Sequence, residues 1–385
     1  MPKLKNLGKN LLLLFVTILI FLFFFEIFLR VFYPQEIFPV NIYENSPTRR
    51  YVLKKNFFGT HYHPEFTVHY KTNSKGLRDY EHNYEKKNNT FRILVLGDSM
   101  TFGEGVEVNE SYPKILEKLL NNNTQGKKFE VINAALPAQN TDQELIYFME
   151  EGYKYNPDLI ILGFYIGNDI YGNYYWPVVL VDNGTMRHRK LNYYDITLRK
   201  YDKFIPFYHF LVTHSQAIVF FKFKISAILH NLRRREVNIN ENSSFTTRSL
   251  FLIDETPLWH KVWNLTYFLI KKTNDEIKEK NNSTKFVIVL IPHRVQVYEE
   301  LWDEEFFNNT KANSELPNNL IKNFSRMENI TIIDLLPKFK KFAEEGKQLY
   351  YKIDEHLNKE GNKLAAEIIY DELINKGLIP IINSN

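Results

Sequence analysis

Cysteine is absent from all 385 residues. Its absence excludes disulfides, thiolate catalysis and any zinc site built on cysteine, and it leaves the redox compartment open. A dominant charge sign is missing as well. The 49 basic and 45 acidic residues leave a net charge of +4, a surplus too small and too dispersed for a nucleic-acid surface, so no nucleic-acid partner is expected. No internal repeat recurs. Disorder is excluded by composition, since 44% of the residues are hydrophobic and 24% charged, as in chains that fold around a core. The length suits one large domain or two ordinary ones.

Long apolar runs are also lacking, with one exception. Residues 11–33 run LLLLFVTILIFLFFFEIFLRVFY, broken only by Thr17, Glu26 and Arg30. Crossing a hydrocarbon core takes about 20 apolar residues of helix, so this segment is expected to span a bilayer once. Lys3, Lys5 and Lys9 precede it and place residues 1–10 in the cytoplasm with the rest outside. The alternative is a cleaved signal peptide. Such a peptide has a shorter apolar stretch closed by small residues, whereas Glu26, Arg30 and Pro34 follow here. Glu26 and Arg30 are spaced to pair along one helix face near the outer end.

Residues 34–90 are polar and aromatic, with a strand expected within FTVHYKTNSKGLRDY, and read as a stalk that becomes a cover. From residue 91 the pattern changes. FRILVLGDSM reads as a buried parallel strand entering a loop. A helix (YPKILEKLLNNN), a strand (FEVINAAL), a helix (TDQELIYFMEEGYKY) and a strand (PDLIILGFYIG) follow. Strand–helix alternation of this kind predicts a parallel sheet with helices on both faces. Between about residues 173 and 256 the rhythm breaks into an insertion. It holds one helix-like stretch at 215–235, apolar on one side and basic at its end, which is either a core or lid helix or a second contact with an anionic membrane. The rhythm resumes with a helix near 259–280, strands KFVIVLIP and NITIIDLLP, and a last helix at 357–376, so the domain is expected to cover residues 91–380. Asn-x-Ser/Thr sequons recur, Asn88, Asn109, Asn122, Asn183, Asn264, Asn308 and Asn329 among them; they matter only in a host that glycosylates exported proteins.

The chemistry begins at Gly97-Asp98-Ser99. A serine at the carboxyl end of a parallel strand and just before a helix sits in the crevice where such sheets bind ligands. Serine needs a base to take its proton. His356, before the last helix, has Asp354 two residues earlier, and in an extended loop both side chains point the same way. The carboxylate then reaches one ring nitrogen while the other faces Ser99. The alternative is that the pair caps the helix that follows. Asn168, in Gly167-Asn168-Asp169 after LIILGFYIG, offers an amide to an oxyanion or serves as a turn residue. The loop NAALPAQNTDQE offers a backbone N–H. His293 and Arg294 follow KFVIVLIP and face the crevice as substrate-binding candidates, or form a surface loop. Tyr171, Tyr174, Tyr175 and Trp176 make either a sugar platform or packing.

GDSMTFGEG, NAALPAQNTDQE, GND and the terminal Asp-x-His together resemble the blocks of the SGNH/GDSL hydrolase superfamily, across about residues 91–375, and NSKGLRD onwards resembles its membrane-anchored microbial members. The resemblance implies a flavodoxin-like three-layer α/β/α sheet with the insertion, and ester-directed chemistry without metal or cofactor. It implies Ser99 as nucleophile, His356 as base and Asp354 as orienting acid, with Asn168 and the amides of Ser99 and Ala138 as the oxyanion hole. Three departures stand out. Ala138 falls where the family has glycine, Gly167 is one residue before Asn168 rather than two, and Asp354-x-His356 is the shorter form found in envelope polysaccharide-modifying relatives. The expected function is a membrane-anchored extracytoplasmic serine esterase acting on an ester or an acylated envelope glycan or lipid. The alternatives are an O-acyltransferase using the same triad and a non-catalytic envelope scaffold.

Overall fold

A computed structural model describes residues 2–123, 126–182, 184–191, 210–211, 214–222, 224–225, 245, 247–253, 256–302 and 312–380. The chain divides into two units. One takes in residues 1–40, 59–69 and 199–243; the other takes in 41–58, 70–198 and 244–385.

The second unit is built on five parallel strands: β1 (Thr90–Gly97), β2 (Lys128–Asn133), β3 (Leu159–Tyr165), β4 (Lys285–Ile291) and β5 (Thr331–Asp334). Their order across the sheet is β5-β4-β3-β1-β2, which is the flavodoxin-like arrangement. Val95 of β1 pairs with Asn133 on one side and Ile161 on the other, and Gly163 of β3 pairs with Val289. Every residue of β1 and β3 is buried, as their unbroken apolar sequences require of strands covered on both faces.

Alternate side chains go to opposite layers. On one face Ile93, Val95, Ile161 and Val289 pack with α3 (Tyr112–Asn123), α9 (Leu336–Glu344) and α10 (Lys359–Asn375). On the other, Leu94, Leu96, Leu162 and Ile288 pack with α4 (Thr141–Glu150), α6 (Pro257–Lys280) and α8 (Leu316–Met327). The three-layer fold read from the sequence is therefore the one observed. Helices α8 and α9, each with a proline in its first turn, escaped the sequence reading. Of the stretch 215–235, residues 223 and 226–235 lie outside the described residues, as do Asn183 and Asn308. Residues 41–58 and 70–89, which read as stalk and cover, fall in the second unit and carry the antiparallel pair Tyr43–Ser46 and Arg50–Leu53.

The first unit contains α1 (Pro2–Phe32), of which Gly8–Phe32 is long and apolar enough to cross a membrane. Its apolar side chains from Leu11 to Phe24 point outward, as lipid-facing residues do.

Candidate active site

The sheet order reverses beside β1, so the crevice for a ligand lies beyond the carboxyl ends of β1 and β3. The turn after β1 carries Ser99 there. Asp98 caps the short helix α2 (Ser99–Phe102), its Oδ1 accepting the Met100 N–H at 2.9 Å. The turn demands a glycine before it. A Cβ on Gly97 would stand 2.2 Å from Thr101 Oγ1, closer than any packing tolerates.

Ser99 Oγ lies 2.8 Å from His356 Nε2, and His356 Nδ1 lies 2.7 Å from Asp354 Oδ1. An ionised carboxylate only accepts, so Nδ1 carries a proton, and in the neutral ring Nε2 is free to accept from the serine. Asp354 and His356 do not cap the last helix; Asn358 does, accepting from the Gly361 N–H. Nor is the loop extended as expected. Glu355 between them has φ +72, and this left-handed turn brings the two side chains together.

Burial is the largest influence on His356 and opposes its charge. The carboxylates of Glu104 and Asp354 outweigh it and raise the pKa to about 9. Glu104 Oε2 stands 3.6 Å from Nε2. Asp98, fully buried, is pushed up to about 6 by desolvation, against the hydrogen bonds from Asn168 and Met100.

Asn168 stands at the head of α5 (Asp169–Tyr175), after β3. Its Nδ2 donates to Asp98 Oδ2 at 2.9 Å, so the residue preceding the serine ties the asparagine to the serine turn. The same nitrogen has a second N–H for an oxyanion. Ala138 lies in the loop after β2 with φ +55. The alanine thus holds the left-handed backbone that glycine adopts without penalty, at a cost of about 1 kcal/mol. Tyr51 straps this loop, its hydroxyl 2.9 Å from Pro137 O and 3.0 Å from Ala138 O.

His293 stacks on Tyr165, its centroid 5.9 Å away, and its Nδ1 accepts the Val295 N–H at 3.3 Å. Burial, helped by Arg294, lowers its pKa to about 4 and keeps it neutral. Arg294 reaches the histidine loop, pairing with Glu355 at 2.5 Å and donating to Lys352 O at 3.0 Å. A cavity of about 250 Å³ bounded by Arg294, Tyr350, Tyr351 and Lys352 lies alongside. In the aromatic cluster, Tyr171 and Tyr174 pack on the core while Tyr175 and Trp176 are exposed.

Two residues of the site were missed in the sequence. Arg78, 1% exposed, donates to the carbonyls of Phe102, Gly103 and Val106 and fixes the end of α2 and the chain just after it. Its position in NSKGLRD was the available signal. Glu104, within GDSMTFGEG, faces the histidine; a lone acid in a loop carries no signal of that kind.

Residues 263–381 match the family model of the SGNH hydrolase-like domain of acetyltransferase AlgX. No curated protein matches the chain. Among solved structures, the chain is similar to the acetyl xylan esterase AlAXEase, at 11% identity and TM-score 0.41 over 74% of this chain and 100% of that one. It is similar to TesA, at 12% identity and TM-score 0.39 over 75% and 99%. A third is a catalytic mutant of the acetylxylan esterase Axe2 from Geobacillus stearothermophilus, at 11% identity and TM-score 0.40 over 74% and 94%.

Proposed function

We propose that this chain, an ester-acting enzyme of the SGNH superfamily, forms an acyl-enzyme on Ser99 and passes the acyl group to a hydroxyl of an envelope glycan, anchored in the membrane through residues 11–33 with its catalytic unit outside the cell. The observation that carries the reading is the unbroken relay Ser99 Oγ–His356 Nε2 at 2.8 Å and His356 Nδ1–Asp354 Oδ1 at 2.7 Å.

In the first half-reaction the Ser99 oxygen attacks the acyl carbonyl as His356 Nε2 takes its proton. The tetrahedral oxyanion is held by the Asn168 amide and the backbone N–H groups of Ser99 and Ala138. His356 then returns the proton to the departing alkoxide, and Asp354 steadies the imidazolium between the two steps. In the second half, His356 takes the acceptor's proton as the acceptor oxygen attacks the acyl carbon, and it returns that proton to Ser99 Oγ as the acyl–serine bond breaks.

Water as acceptor makes the enzyme an esterase; a sugar hydroxyl makes it an acyltransferase. The family match to an acetyltransferase domain favours the sugar. Full-length enzyme given an activated acetyl ester and neutral oligosaccharides should yield acetylated sugar in excess of free acetate. Acetate alone would assign hydrolysis. A fluorophosphonate adduct absent from Ser99 in folded protein would remove the serine mechanism altogether and leave a scaffold.

A further inference from the structure

The contact between the N-terminal helix and residues 214–225 has a construction that membrane spanning alone does not explain. Glu26 lies inside the apolar run, where an ionised carboxylate is costly unless fully partnered. Its Oε1 accepts the Gln216 N–H at 3.0 Å and the Arg30 Nε–H at 2.8 Å. Its Oε2 accepts the Ala217 N–H and the Ser215 hydroxyl, both at 2.9 Å. Arg30 in turn donates to His214 O at 2.5 Å, and the Gln35 N–H donates to the Gln216 side chain. The carboxylate therefore takes up N–H groups at the start of the helical residues 216–222, which have no partner within their own first turn.

Packing follows the same line. Phe25 meets Phe220 and Phe221, each at 5.7 Å between centroids, and Tyr33 meets Phe220 at 6.4 Å. Ala217, whose N–H meets Glu26, is buried there. Phe221, at the edge of this contact, and Ile225 are still 43% and 55% exposed. Lys222 and Lys224 are exposed beside them, and Lys224 reaches over the Phe220 ring at 5.6 Å. Large apolar side chains with lysines among them, fixed to the outer end of a spanning helix, have the composition of an interfacial segment.

We infer that residues 214–225 are a second membrane contact, lying in the outer headgroup layer with Phe221 and Ile225 inserted and Lys222 and Lys224 at anionic lipid phosphates, and that Glu26 is the clamp that holds them there. The inference rests on residues 11–33 spanning the bilayer. It makes the anchor a two-element foot rather than a flexible tether.

The absence of cysteine allows clean single-site labels. Full-length protein is reconstituted in vesicles of phosphatidylcholine with and without phosphatidylglycerol. A nitroxide placed by Leu19→Cys reports the spanning segment, and one placed by Phe221→Cys reports the second contact. The expected result is high oxygen and low nickel-chelate accessibility at both. Glu26→Gln, which replaces an acceptor by a donor facing N–H groups, should cut oxygen accessibility at position 221 by about threefold and leave position 19 unchanged. Lys222→Gln with Lys224→Gln should remove the difference between the two vesicle types at position 221. A label at 221 in water with 19 in lipid overturns the second contact and leaves the anchor standing. Both labels in water overturn the spanning reading and this inference together.

Discussion

The two loops that bring Ser99 and His356 together are held by different means. The serine loop is buried and braced from within. Arg78 spends its charge on three carbonyls, those of Phe102, Gly103 and Val106, and its guanidinium lies over the rings of Tyr70 and Phe102. The histidine loop is half open to solvent. Ile353 is 67% exposed, Glu355 adopts φ +72, and the Arg294–Glu355 pair ties it from outside. Tyr351 joins the two, its hydroxyl donating to Gly105 O at 2.8 Å. The serine side is thus fixed by burial, and the histidine side by surface contacts.

Removing the relay itself should have the largest effect. Ser99→Ala and His356→Ala are each expected to lower the rate by about four to six orders of magnitude, with the double variant no worse, because the pair acts as one unit. An additive double variant in steady-state assays would separate the two residues.

Stability should divide between the loops. Arg78→Met leaves three carbonyls in a buried site without their donor, and a loss of about 3 kcal/mol is expected in denaturant unfolding of the detergent-solubilised chain. Asn168→Ala is expected to keep the fold and lose about two to three orders of magnitude in kcat. If Arg78→Met unfolds at the wild-type midpoint, the serine loop is not held by its arginine.

The base side is tested through pH. Glu104 and Asp354 hold His356 protonated up to about pH 9, and general base work needs the neutral ring. kcat/KM is therefore expected to rise with pH up to that value. The same shift stabilises the fold below the ordinary histidine pKa of about 6.5, and that stability fades as pH climbs through about 9. Glu104→Gln removes one of the carboxylates that raise it, so the rise in kcat/KM should move to lower pH by about one unit. A profile unmoved by Glu104→Gln would assign the effect to Asp354 and Asp98.

The same contrast explains what the sequence could reveal. Strands β1 and β3, buried end to end, were legible as continuous apolar runs, and with them the sheet and the places of Ser99 and Asn168. Helix α9 starts at Leu336, inside the run NITIIDLLP that reads as one strand, and α8 sits in the Asn-rich stretch between two strands, where its spaced apolar residues Leu316, Leu320, Ile321 and Phe324 went unread. The partnership of Asp354 with His356 was legible, but its geometry was not, because nothing in Glu355 signals a left-handed backbone. Arg78 was hidden for a related reason: a buried arginine satisfied by backbone carbonyls has no sequence partner to mark it.

The smallest expected effect belongs to Arg294. Its pairing with Glu355 is partly exposed, with side-chain exposures of 22% and 47%, so the ion pair contributes no more than about 1 kcal/mol. The bond to Lys352 O at 3.0 Å acts on the backbone two residues before Asp354. Arg294→Gln should therefore barely alter the unfolding midpoint, while lowering kcat by about fivefold as the histidine loop samples unproductive positions. Glu355→Gln, which keeps the Lys352 bond, should lower kcat less. If Arg294 binds substrate instead, its loss will appear in KM, with kcat unchanged and no coupling to Glu355 in the double variant. A KM effect would move Arg294 from bracing the loop to holding a substrate, and would leave the left-handed turn at Glu355 to keep Asp354 and His356 together unaided.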